Sequence, residues 1–154
     1  MRFSPALFRH AEVLLSELLR SAFPADLVVS NYFRQHRELG HADRGFVAEI
    51  VFAVLRRKRS LSARCADEVT SRRLLLAALA CLQGMNRREL AVVLNESESK
   101  WLAHAKAVKV DDLPVAVRLD LPDWLYGQLT EQFSAEEIER LAAGLNQPAP
   151  LDLR

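Results

Sequence analysis

Arginine recurs in short clusters through the first half of this chain. Arg56, Arg57 and Arg59 surround Lys58, Arg64 follows, then come Arg72-Arg73 and Arg87-Arg88, with Arg34, Arg37 and Arg44 upstream. A guanidinium is planar, permanently charged and carries its donors in a rigid fork, so it binds phosphate bidentately and stacks on bases. The chemistry on offer is capture of an anionic polymer. Residues 1–88 carry 15 Lys and Arg against 8 Asp and Glu, and residues 89–154 carry 6 against 12; net charges of +7 and −6 thus combine to the +1 of the whole chain. Arg72, Arg73, Arg87 and Arg88 fall in expected first helical turns, where the helix dipole disfavours positive charge. A binding surface explains that placement better than helix stability does. The competing readings are a solvated charged face, a coding bias toward Arg, and, for the run ending at Arg59, a helix C-terminus that favours cations by about 0.3–1 kcal/mol each.

No catalytic constellation accompanies the arginines. The chain has no Gly-rich phosphate loop, no GxGxxG after a strand and no HExxH. Its four histidines, His10, His36, His41 and His104, are scattered. His36, His41 and Asp43 flank one loop but lack the i, i+4 spacing of helical zinc ligands, so no metal site is expected. Asp111-Asp112 and Glu136-Glu137 sit in loop or first-turn contexts, where negative charge near a helix N-terminus is ordinary. Cys65 and Cys81 have no partner at metal-ligand spacing and read as buried free thiols.

The elements that would position the basic residues read as helices throughout. Ser4-Pro5 opens a first helix with Leu7, Phe8, Ala11, Leu14, Leu15, Leu18 and Leu19 on one stripe. A second is expected from Pro24 to about Glu38, and Asp43 caps a third, DRGFVAEIVFAVLRRKRS. The third has a polar stripe only at Gly45, Glu49 and Arg56, which places it near the centre of a bundle. Ser71 caps RRLLLAALACLQ; Asn86 with Glu89 and Ser134 with Glu137 form capping boxes; Glu98–Val108 makes a short helix and Pro122 starts DWLYGQLTEQF. The expected fold class is all-α, about eight helices. With no apolar run near the roughly 20 residues of a membrane span and no signal-peptide pattern at the N-terminus, the chain reads as cytoplasmic, without a membrane partner.

Two stretches carry a family resemblance. LGHADRGFVAEIVFAVLRRKRSL, residues 39–61, resembles the central helix of NusB-like helical domains, in which an Asp-Arg pair precedes a buried helix ending in Leu-Arg. LPDWLYGQLTEQFSAEEIERLAAGLNQPAPLDLR, residues 121–154, is similar to the segment that joins such a domain to the catalytic part of Fmu/Sun-family RNA (cytosine-5) methyltransferases. Pro122, Trp124, Leu125, Asn146, Pro148, Pro150 and Arg154 match that pattern, which continues into a strand beginning Leu-x-Leu-Arg.

The resemblance implies a NusB-like bundle over residues 1–120 and a helical connector over residues 121–154, in which LDLR opens a truncated strand. The sequence then reads as an excised N-terminal portion. S-adenosylmethionine would belong to the parent protein, with no cofactor in this part, and neither Cys65 nor Cys81 sits in the family's Pro-Cys nucleophile motif. The implied function is a non-catalytic module that positions structured RNA, ribosomal in the first instance, for cytosine methylation by the missing catalytic domain. In that reading Arg56, Arg57, Arg59, Arg72 and Arg73 contact phosphates, Arg44 partners Asp43 or a helix end, and Trp124, where it is not simply core, anchors the connector on the catalytic domain. The alternative is a protein-interaction or bracing domain resembling NusB antitermination factors, with Phe3, Phe8 and Phe23 as exposed contacts.

Overall fold

The Ser4 hydroxyl accepts from the Leu7 amide at 3.3 Å and Pro5 fills the first helical position, so the chain enters α1 (Pro5–Arg20) where its local signals direct. The computed structural model describes residues 3–66 and 68–147, and all regular structure among them is helical. After α1 come α2 (Ala25–Gln35), α3 (His41–Arg56), α4 (Lys58–Cys65), α5 (Ser71–Cys81), α6 (Arg87–Leu90), α7 (Glu96–Ala107), a 3-10 turn (Val110–Asp112), α8 (Val115–Arg118), α9 (Asp123–Thr130) and α10 (Ala135–Leu145). Ten helices replace the expected eight. The expected strand at residues 151–154 lies outside the described residues, as do Pro148 and Pro150.

Local signals fared unevenly. The capping boxes at Asn86/Glu89 and Ser134/Glu137 are both formed, and a third at Asn95/Glu98 starts α7 two residues earlier than expected. Thr70, not Ser71, caps α5 by accepting from the Arg73 amide at 3.2 Å. Gly40 occupies the N-cap of α3, leaving Asp43 inside its first turn. The long third helix breaks at Arg57, whose φ of −110° and ψ of 24° leave the helical region; Lys58 and Arg59 therefore begin α4 rather than end α3.

The centre of the bundle is α5. Seven consecutive residues, Leu74 to Ala80, are buried because α5 is enclosed by α1, α3, α4 and α7. α3 presents Val47, Ile50, Val51 and Val54 to the same core and keeps Gly45 and Glu49, two residues of its expected polar stripe, exposed. A second, smaller core gathers Leu121, Ile138 and Ala142 with Leu119, Leu125, Tyr126 and Leu129 from the α8–α10 region. The second core therefore starts just before the expected 120/121 division. Among the described residues no helix is long and apolar enough to cross a membrane.

The two thiols differ. Burial pushes the Cys65 thiol up to about 11, against the pull of the nearby Arg73 charge, whereas Cys81 is only half-buried. Alkylation by iodoacetamide of the native protein is expected to modify Cys81 roughly tenfold or more faster than Cys65, with the difference vanishing in denaturant. Peptide mapping by mass spectrometry reads both rates, and equal native rates would refute the assignment.

Candidate nucleic-acid interface

Of the five arginines expected to meet phosphate, four are held by the protein itself. Arg57 lies 3.5 Å from a carboxylate oxygen of Asp120, whose side chain is 1% exposed. Arg59 donates to the Leu121 carbonyl and, at 2.8 Å, to Asp123. Arg72 bonds both oxygens of Glu98, reaches Glu12 at 3.3 Å and the Val93 carbonyl at 2.6 Å, and stacks over the Phe8 ring at 5.1 Å. Arg73 pairs with Glu68 at 3.2 Å, donates to the Glu68 carbonyl, and lies 5.3 Å from the centroid of Trp101. The unfavourable first-turn charges of Arg72 and Arg73 are thus balanced by carboxylates within the protein. Arg64 is likewise engaged, donating to the Ala105 and Val108 carbonyls at the end of α7.

Only Arg56 of the five has no hydrogen bond or ion pair among the described residues. It lines a depression of about 300 Å³ together with Glu49, Arg57, Gln83 and Asn146. The five do not converge: Arg56, Arg57 and Arg59 surround the α3–α4 break, whereas Arg72 and Arg73 are tied to α1, α7 and the loop before α5.

A different set does converge. The three upstream arginines, Arg34, Arg37 and Arg44, line a shallow cleft of about 550 Å³ with Ser30 and Phe33, and no carboxylate is among its lining residues. Their spacing follows from the turn between α2 and α3: Arg34 ends α2, Arg37 sits in the turn, and Arg44 enters α3. Arg44 is fixed in place. It donates to the Leu39 carbonyl at 2.8 Å and the His36 carbonyl at 3.4 Å, and lies 5.9 Å from the Phe33 ring centroid, so it caps the end of α2 rather than pairing with Asp43. Arg34 and Arg37 are exposed, Arg34 with only a long 3.4 Å contact to Asn31. The signal for this site in the sequence is three arginines within eleven residues, sparser than the runs at Arg56–Arg59, Arg72-Arg73 and Arg87-Arg88.

The aromatic residues also redistribute. Trp124 is 67% exposed and does not pack in either core, whereas Phe8 is buried and Phe3 packs edge-on against Phe8 and Phe46; of the three phenylalanines expected at the surface, Phe23 alone stands there, at 71% exposure. Trp124 on α9, Phe133 in the turn after it, and Leu141 and Leu145 on α10 are each exposed to solvent. The four histidines resolve differently as well. His36 meets His10 and Glu38, not His41 and Asp43.

Fold and site together define an all-α protein with an arginine-lined cleft at one turn and several exposed apolar side chains around α9 and α10. In comparisons with known proteins, no family model, no curated protein and no solved structure matches this chain.

Proposed function

We propose that this chain is a non-catalytic RNA-binding module, positioning structured RNA for an S-adenosylmethionine-dependent RNA (cytosine-5) methyltransferase region, and that the α2–α3 cleft makes the contact. The observation that carries the reading is the cleft itself: three arginines and Phe33 line it, with no carboxylate among the lining residues. Arginine clusters of this kind neutralise phosphates along a backbone and read shape rather than sequence. The methyltransferase assignment rests on the resemblance of residues 39–61 and 121–154 to NusB-like domains and their connector.

The exposed apolar side chains Trp124, Phe133, Leu141 and Leu145 around α9 and α10 favour a second reading, a domain that docks on protein and braces it without touching RNA. A filter-binding titration against ribosomal RNA over a series of salt concentrations separates the two. Removing Arg34 and Arg37 together (Arg34→Ala with Arg37→Ala) is expected to weaken binding and to flatten the slope of log K against log salt by about 1 per lost phosphate contact. Absence of binding by the folded wild-type chain, or an unchanged slope in the double variant, removes the cleft reading in favour of the docking one.

A further inference from the structure

His10 on α1, His36 at the C-cap of α2 and Glu38 in the following turn bring their ligand atoms within 4.8 Å of one another. The Nδ1 of His36 lies 2.8 Å from Glu38 Oε1, and the Nε2 of His10 lies 3.9 Å from the same oxygen. Four ligands set tetrahedrally around zinc at its usual N and O bond lengths stand about 3.4 Å apart. The observed separations bracket that value, so small side-chain rotations admit an ion.

The site is also prepared beneath. Tyr32, buried under the pair, places its hydroxyl 2.9 Å from His10 Nδ1, and its ring lies 4.2 Å from that of His36. A metal-binding imidazole characteristically gives its second nitrogen to such an oxygen, which fixes the tautomer and the ring plane. With the Nδ1 proton donated to the Tyr32 oxygen, the Nε2 lone pair of His10 faces Glu38.

We propose that His10, His36 and Glu38 bind one divalent transition-metal ion of the zinc class, with the fourth position open to water. Two imidazoles and one carboxylate are the donor set that zinc takes in open sites. Binding displaces the proton that His36 shares with Glu38 and ties α1 to the α2–α3 turn.

Calorimetric titration of the full chain with zinc chloride tests this. One equivalent is expected to bind and to raise the melting temperature. His36→Ala and Glu38→Gln, both at partly or fully exposed positions, are each expected to lower affinity at least about tenfold, and Tyr32→Phe, which removes only the hydroxyl partner of His10, about tenfold. His41→Ala and His104→Ala are expected to bind as the wild type does. Cobalt substitution supplies an independent readout: ligand-field bands without a thiolate charge-transfer band. Wild-type affinity in both His36→Ala and Glu38→Gln, loss of binding in His41→Ala or His104→Ala, or a thiolate band pointing to Cys65 or Cys81 would each overturn the assignment.

Discussion

Asp120→Ala is expected to lower the unfolding free energy by about 3 kcal/mol, seen as an earlier urea midpoint, although Asp120 belongs to no helix and no core cluster. Its carboxylate accepts from the Ser60 amide and from the Ser60 hydroxyl, each at 2.8 Å, and faces Arg57. Ser60 stands in the first turn of α4, a helix with no side-chain cap of its own, so a residue 60 positions away supplies the cap. Truncation leaves the Ser60 amide without its acceptor and the Ser60 hydroxyl with only the Arg57 carbonyl at 3.2 Å, at roughly 1–3 kcal/mol, and deprives the helix start of its counter-charge. It also puts Ala at a φ of 58°, a left-handed conformation that Asp tolerates better at a difference on the order of 1 kcal/mol. Asp120→Asn keeps one acceptor and the backbone preference and should lose less than half as much. Asp112→Ala, at an exposed site in the 3-10 turn, should lose almost nothing. A midpoint for Asp120→Ala no different from that of Asp112→Ala would show that the in-trans cap contributes nothing.

The same carboxylate explains which parts of the fold sequence reasoning reaches. Ser4 with Pro5, Asn86 with Glu89 and Ser134 with Glu137 act within three residues, so their helix starts are read directly from adjacent letters. The α1 stripe is equally local, and six of its seven apolar residues are buried. The break at Arg57 is not local. Nothing between Phe46 and Ser60 forbids a continuous helix; the chain turns there while Asp120 and Arg59 fasten α4 to the segment around Leu121. α5 escapes a periodicity argument for another reason: a helix enclosed on four sides has no polar stripe to reveal its orientation. The site suffered most. A count of guanidinium groups says how many charges a region carries, but not that Glu98, Glu12, Glu68, Asp120 and Asp123 arrive from elsewhere to meet them. What the α2–α3 turn offers an external anion is three arginines lining one cleft with no carboxylate among its lining residues.

Arg72 gives the sharpest division between holding the fold and holding a ligand. Its guanidinium joins α1 through Glu12, α7 through Glu98 and the turn before α7 through the Val93 carbonyl, while it lies over Phe8. Glu98 is 13% exposed in its side chain, so Arg72→Ala strands a nearly buried carboxylate and a carbonyl together. Such losses run to 3–5 kcal/mol in fully buried pairs; with about a third of the Arg72 side chain in water, about 2–3 kcal/mol is expected, measured by urea unfolding at neutral pH. The effect should depend on pH with a definite sign. Hydrogen bonds from Arg72 hold the Glu98 carboxyl below its ordinary 4.5, against the opposing pull of burial. A depressed carboxyl contributes its stability above the unfolded value and loses it as pH falls through the folded one, so the gap between wild type and Arg72→Ala should narrow once pH drops below 4.5. The double variant Arg72→Met with Glu98→Met removes both charges and keeps apolar volume near Phe8; it should recover part of the loss, the remainder being the α7 capping bond from the Asn95 amide to Glu98. If Arg72 instead serves RNA, Arg72→Ala would leave the urea midpoint in place and reduce the salt slope of binding, the outcome assigned above to Arg34 and Arg37. A variant whose midpoint falls at neutral pH, with its deficit fading in acid, identifies Arg72 as a tie between helices, and leaves the α2–α3 cleft to meet phosphate.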